Sequence, residues 1–254
     1  MLGVFSGEVV EVPAELVAAG SRTPSPKTRG SELVSRFLRC SDAAAMVSVQ
    51  LGSVGHLAYN PTKSPSCPRL FAAKDEIFCL FEGVLDNLGS LMQHYGLSKG
   101  TNEAVLILEA YKTLRDRAPY PASFMLGHLT GSFSLIIFDK ATSSLLVASD
   151  AHGKVPLFWG ITADGCVAFC DDLDLLKGSC GKSLAPFPQG CFYSNTLGGL
   201  KSYENPKNKV TATLADDEEI CGATFQQDIK SKFSPTLLLQ PLSLGDGDRI
   251  LCKL

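Results

Sequence analysis

Three short stretches hold the side chains best placed to do chemistry. Phe81-Glu82-Gly83-Val84-Leu85-Asp86-Asn87 brings a carboxylate and turn-forming groups to the end of an apolar run. Gly131-Ser132-Phe133-Ser134 enters a second apolar run and is answered by Ala148-Ser149-Asp150-Ala151-His152-Gly153. Ala185-Pro186-Phe187-Pro188-Gln189-Gly190 leads into a third. Carboxylates at strand ends mostly cap turns, so each stretch alone is a weak sign of catalysis. The familiar templates are missing: there is no G-x-G-x-x-G, no G-x-x-x-x-G-K-S and no G-x-S-x-G. His56, His94, His128 and His152 lie far apart along the chain and away from the cysteines. Cys166 and Cys170 have no second pair at zinc-site spacing, so neither a metal nor a cofactor is expected. The nine cysteines are odd in number and unpaired in pattern, and read as reduced, buried small hydrophobes. Cys79, between Phe78 and Leu80, reads as an inert thiol.

These stretches need strands to hold them, and the 254 residues are rich in strand signals. Met46 to Leu51 and Leu57 to Tyr59 form a plausible hairpin around Gly52 and Gly55. Ile77 to Phe81 is apolar throughout, as in a strand buried on both faces. Ser132 to Phe138 turns through Asp139-Lys140-Ala141-Thr142 into Leu145 to Ala148, and Leu157 to Trp159 pairs with Cys166 to Cys170. Gly190 to Tyr193 closes the series. Helices are expected at Glu32 to Cys40 capped by Ser31, and at Leu88 to Tyr95 stopped by Gly96. The longest is expected after a Thr101 cap, with Arg115 and Arg117 in its last turn and Pro119 and Pro121 beyond. A short one, capped by Asp171 or Asp172, should end at Gly178. Few helices among many hairpins predict a layered α+β sandwich.

Composition narrows the function classes. Apolar residues are 45%, charged residues 19%, and the net charge is −3. That balance lacks the excess of Lys and Arg that a nucleic-acid binder needs to neutralise phosphates. No apolar run approaches the ~20 residues of a membrane span, and Met1 to Glu8 lacks the basic start of a secretory signal, so a cytoplasmic chain is expected. Gly20 to Gly30 (GSRTPSPKTRG) reads as an exposed loop, a solvated linker in which Ser21 or Ser25 could be phosphorylated. From about Gln226 the apolar residues follow no period, which reads as a docking or disordered tail after a domain spanning 1–225.

In order, these pieces resemble the glutaminase domain of class II glutamine amidotransferases, especially that of asparagine synthetases. Phe81-Glu82-Gly83 with Asn87 resembles that family's Asn-Gly-Glu strand exit. Gly100-Thr101-Asn102-Glu103 resembles its Gly-Ser-Asp helix opening, and Leu129-Thr130-Gly131-Ser132-Phe133 its Leu-x-Gly-x-Phe hairpin. Asp150 to Leu157 and Phe187-Pro188-Gln189-Gly190 resemble its next turn and closing strand. Tyr95-Gly96-Leu97 and Leu114-Arg115-Asp116-Arg117 are similar to the two signatures of plant aluminium-induced and stem-specific proteins with YGL and LRDR motifs. The resemblance implies the four-layer αββα sandwich of N-terminal-nucleophile hydrolases.

It also implies a pocket whose chemistry has been lost. The family's nucleophilic Cys falls at Leu2, a side chain with no lone pair. Its oxyanion-hole Asn falls at Glu82, which as a carboxylate has no N–H to donate, although Gly83 remains. Its acidic partner for the substrate amine falls at Asn102, and no Arg stands near Asn60 to Thr62, leaving Lys63 or Arg69 as substitutes. The expectation is a non-catalytic, stress-responsive module with a relic pocket at Leu2, Glu82, Gly83 and Asn102, free of metal and cofactor and self-associating as a homo-oligomer. Arg115-Asp116-Arg117 is then a candidate surface contact. The alternative is a divergent amidohydrolase whose chain is cut after Phe5 to expose Ser6.

Overall fold

The computed structural model describes residues 1–22, 25–40, 46–61, 67–117, 122–216 and 219–227. The chain opens with strand β1 (Leu2–Phe5), then helices α1 (Ala14–Arg22) and α2 (Gly30–Arg39). Strands β2 (Val47–Gln50), β3 (Gly55–Tyr59), β4 (Arg69–Lys74) and β5 (Ile77–Leu85) follow. Next come helices α3 (Leu88–His94), α4 (Glu103–Asp116) and α5 (Ala122–Gly127), then β6 (Gly131–Asp139), β7 (Ser144–Ser149), β8 (Phe158–Ile161) and β9 (Val167–Cys170). Helix α6 (Leu173–Cys180) and strands β10 (Leu184–Pro186), β11 (Cys191–Ser194), β12 (Gly199–Ser202), β13 (Val210–Leu214) and β14 (Ala223–Gln227) complete the described chain.

Two six-stranded antiparallel sheets form the middle of the molecule. The first runs β10-β8-β9-β1-β3-β2 and the second β12-β11-β7-β6-β5-β4. Period-two alternation gives each sheet two apolar faces. Phe5, Leu80, Ile136, Phe138, Val147 and Trp159 meet between the sheets. Leu2, Val4 and Ala168 face away, under Leu33, Val34 and Phe37 of α2 and Leu176 of α6. Cys79, Phe81, Leu135 and Ile137 pack under Leu106, Ile107 and Leu114 of α4 and Met125 of α5. The result is the four-layer αββα sandwich. Helix α1 and the β13–β14 ribbon pack beside β10, where Phe225 and Phe187 meet the Trp159 ring at 5.0 and 5.5 Å between centroids.

The hairpins lie where the sequence pattern puts them; several helix ends do not. Asn102, not Thr101, caps α4, its side chain accepting the Val105 N–H at 3.0 Å. Ser31 lies inside α2, whose N-cap is Arg29 without a side-chain bond. Asp172 caps α6, which runs past Gly178 to Cys180. Strands β1, β4, β10, β12, β13 and β14 and helices α1 and α5 were not marked by periodicity, because runs of three to nine residues are too short to show one. Gly20 to Arg22 end α1 and Gly30 starts α2, and of the residues between them the described 25–29 lie outside helix and strand. Pro119, Pro121 and the tail beyond Gln227 lie outside the described residues.

Candidate functional site

At one end of the inter-sheet space four charged groups meet. Antiparallel register puts Arg69 opposite Glu82, Glu82 opposite Ser134 and Ser134 opposite Ser149, one row across β4 to β7. Cross-strand partners share a face, here the one that turns Leu80, Ile136 and Val147 toward the first sheet. From that sheet come Met1, just before β1, and Asp171, just after β9. The α-ammonium of Met1 donates to Asp171 Oδ1 at 2.5 Å. Asp171 Oδ2 accepts from Arg69 Nη2, and Arg69 Nε lies 3.0 Å from Glu82 Oε2. Two positive and two negative groups thus form one chain, with every side chain 2–6% exposed.

Burying a charge without its partner costs several kcal/mol, so each member depends on the others. Burial alone would lower the Arg69 pKa, but Asp171 and Glu82 outweigh it and hold the guanidinium charged. The two nearby thiols are driven the other way. Burial pushes Cys170 up to about 12. Burial, Glu82 and Asp171 together raise Cys67. A neutral thiol is a poor nucleophile, so neither supplies the missing thiolate.

The residues anticipated for the pocket have separate placements. Leu2, fully buried, packs its side chain into the core under α2 and α6. Glu82 lies in the ion cluster. Gly83 has φ +130, a Cβ there would lie 2.0 Å from the Ser132 carbonyl oxygen, and its N–H is committed to the Pro68 carbonyl at 3.0 Å. Asn102 is the exposed cap of α4, in the outer helix layer. Arg69, a substitute for the absent Arg, enters the cluster; Lys63 lies outside the described residues. Ser6 follows β1, which sits between β9 and β3 in the first sheet, so a cut after Phe5 would remove an interior strand. Sequence reasoning missed Asp171, which it offered only as a helix cap. An Asp-Asp pair after a buried strand was the available signal.

The remaining polar residues do structural work. The fully buried Asp150 accepts N–H groups of Phe133, His152, Lys154 and Val155, pinning the turn after β7. His94 and His128, distant in sequence, have ring centroids 6.1 Å apart. Among the described residues no group of three or more His, Cys, Asp or Glu could hold a metal, and no helix is long and apolar enough to cross a membrane. Among the described residues eight cysteines are free: four buried, three half-buried and Cys40 exposed.

The two motifs are structural devices. Tyr95 is the C-cap of α3, Gly96 has φ +67, and the N–H groups of Gly96 and Leu97 donate to the Gln93 and Met92 carbonyls. That is a Schellman stop, for which Gly is the favoured residue. Leu114 lies on the buried side of α4, and Arg115 reaches the end of β6 to hold Asp139 at 3.1 Å while also holding Asp116 at 2.8 Å. Arg117 is the exposed C-cap of α4. Arg115 thus staples α4 to the β6–β7 turn, while Asp116 and Arg117 are exposed.

Part of the chain is similar to glutamine-hydrolysing asparagine synthetases. The chain is 37% identical over 78 residues to an asparagine synthetase of Zea mays, covering 31% of this chain and 13% of that protein. It is 32% identical over 101 residues to asparagine synthetase 3 of Arabidopsis thaliana, 39% of this chain and 17% of that one. The chain therefore spans less than a fifth of those synthetases. The chain belongs to the aluminium-induced protein family, whose profile matches residues 2–227. Stem-specific protein TSJT1 of Nicotiana tabacum is 37% identical over 150 residues, 58% of this chain and 99% of that protein. Among solved structures, the glutamine phosphoribosylpyrophosphate amidotransferase of B. subtilis aligns with a TM-score of 0.45 at 13% identity, covering 79% of this chain and 48% of that one.

Proposed function

We propose that this chain is a non-catalytic relative of glutaminase domains, a stress-responsive binding or regulatory module that self-associates in the cytoplasm. The observation that carries this reading is the closed ion cluster of Met1, Asp171, Arg69 and Glu82. Amide hydrolysis needs a nucleophile and N–H donors aimed at the developing oxyanion. Leu2 supplies no nucleophile, the Gly83 N–H is already bonded, and Glu82 offers a negative charge where a donor is needed. Losing one such donor typically costs ~10²–10³ in rate. Arg69 is neutralised twice over and has little attraction left for a substrate carboxylate. In that row the buried Ser134 hydroxyl has no hydrogen-bond partner among the described residues, and Arg69 Nε and Glu82 Oε2 have only each other, as an ion pair.

The stress-responsive role follows from the family, and self-association from the habit of related domains. Ammonia release from glutamine is the direct test. The expected result is none above buffer. Turnover that co-purifies with the chain and disappears in Glu82→Gln contradicts the reading. Light scattering over a wide concentration range tests assembly; a strict monomer removes that part.

A further inference from the structure

Ser25, Lys27 and Thr28 strap the chain ahead of α2 to the end of α6, to the turn after it and to the β8–β9 turn. Ser25 Oγ accepts the Lys182 backbone N–H at 2.8 Å. Lys27 Nζ donates to Ser183 Oγ at 2.6 Å. The Thr28 N–H donates to the Ser179 carbonyl at 3.0 Å, and the Thr28 carbonyl accepts from Ala163 at 2.8 Å. Arg29 then caps α2, whose Leu33, Val34 and Phe37 cover the first sheet. The strap therefore holds the start of a core-forming helix in place.

Ser25 lies close against Gly181. A Cβ on Gly181 would come within 2.0 Å of its Oγ, and Gly181 has φ +55. On its other side Ser25 borders a cavity of about 510 Å³ lined by Asp174, Lys177, Lys182 and Glu219. Ser25 is half-buried and Pro26 is exposed. A residue before proline is held extended, which suits a kinase that reads a Ser-Pro dipeptide.

We propose that Ser25 is a phosphorylation site for a proline-directed kinase and that its modification unfastens the strap. In the transfer, Oγ loses its proton and bonds to the γ-phosphorus of a nucleoside triphosphate. The bond from that phosphorus to the β–γ bridging oxygen breaks, and the diphosphate leaves. The product carries nearly two negative charges at the C-terminal end of α6, where helix carbonyls already concentrate negative charge. Asp174 and Glu219 add to the repulsion. The Lys182 ammonium is already bonded to the Glu219 carbonyl. Lys177 offsets part of the repulsion, while the bulk of the phosphoryl group crowds the Lys182 N–H that Ser25 Oγ accepts.

The test treats the full chain with a proline-directed Ser/Thr kinase and a nucleoside triphosphate, followed by site mapping and hydrogen exchange. One phosphoryl group is expected at Ser25 and none there in Ser25→Ala. Exchange at the Thr28 and Ala163 amides should rise about tenfold or more, as expected when bonds of this kind are lost. Ser25→Ala removes only the acceptor for Lys182, so it should speed exchange at Lys182 and leave Thr28 protected. A kinase that modifies a peptide spanning residues 21–30 but never Ser25 of the folded chain overturns the site. A phosphorylated chain with Thr28 still protected overturns the release.

Discussion

Two groups of charges lie at the two extremes of this molecule's dielectric range. The inner one joins Met1, Asp171, Arg69 and Glu82 between the sheets, all almost wholly buried. The outer one runs over the α4 side of the second sheet: Lys74 with Glu109, Lys112 with Asp75, Lys140 with Glu76, and Arg115 with Asp116 and Asp139. In the outer group only Asp139 is fully buried, and most partners are 20–60% exposed. The inner group is smaller and its members cannot be removed singly. The outer group is larger, and solvent can replace most of it. The outer group contains a family motif and the inner one contains none, so the more recognisable sequence marks the less demanding structure.

The comparison is tested hardest at Arg69. Arg69→Met leaves Glu82 buried without its cation and Asp171 with only the ammonium, a loss of about 3–5 kcal/mol. Urea denaturation should show it as a large fall in midpoint, and a loss below 1 kcal/mol would put water into the cluster.

The interior should also dominate the alkaline limb of stability. Burial holds Cys170, Cys180 and Cys191 at about 12, well above the ordinary thiol value of 9.0. A raised folded pKa means the unfolded chain loses its protons first. Stability is complete below about pH 9 and falls as pH rises toward 12, which urea midpoints across that range will report.

Next is Arg115→Ala. Asp139 keeps its bonds from Ala141 and Thr142, so the loss should be about 1 kcal/mol. A cost equal to that of Arg69→Met would show that the LRDR arginine is as internal as the ion cluster.

The smallest effect belongs to the rim. Lys140→Ala should change stability by less than about 0.5 kcal/mol, and raising salt to 1 M should erase most of that difference. Lys112 and Arg115 hold Asp75 and Asp116 below the ordinary carboxylate range. Depressed carboxylates stabilise above their unfolded pKa, and that help is lost as pH falls through the folded value. The acid limb should therefore weaken with salt, unlike the alkaline one.

What the sequence made legible follows from how each feature is encoded. Strands such as Ile77 to Phe81 and Ser132 to Phe138 are runs of neighbouring apolar residues, visible without any partner. The Schellman stop at Gly96 is equally local. The ion cluster is different: Met1 and Asp171 are 170 positions apart and Arg69 and Asp171 are 102 apart, brought together only by strand order in two sheets. Glu82 stood out as a misplaced carboxylate, yet nothing beside it named its partner. Arg69 was considered only as a substitute for a lost Arg, and the β4 register that places it opposite Glu82 is a tertiary fact. The helix caps fail for a narrower reason. Thr101 and Asn102 are both good caps, and only backbone geometry chooses between them.

The inner charges are committed to one another. Arg69→Met, Glu82→Leu and the double variant form a cycle that leaves the Met1 ammonium paired with Asp171 in the double. Urea denaturation should find the double variant more stable than Arg69→Met alone, with a coupling of about 2 kcal/mol or more. Effects that add within about 0.5 kcal/mol would contradict it.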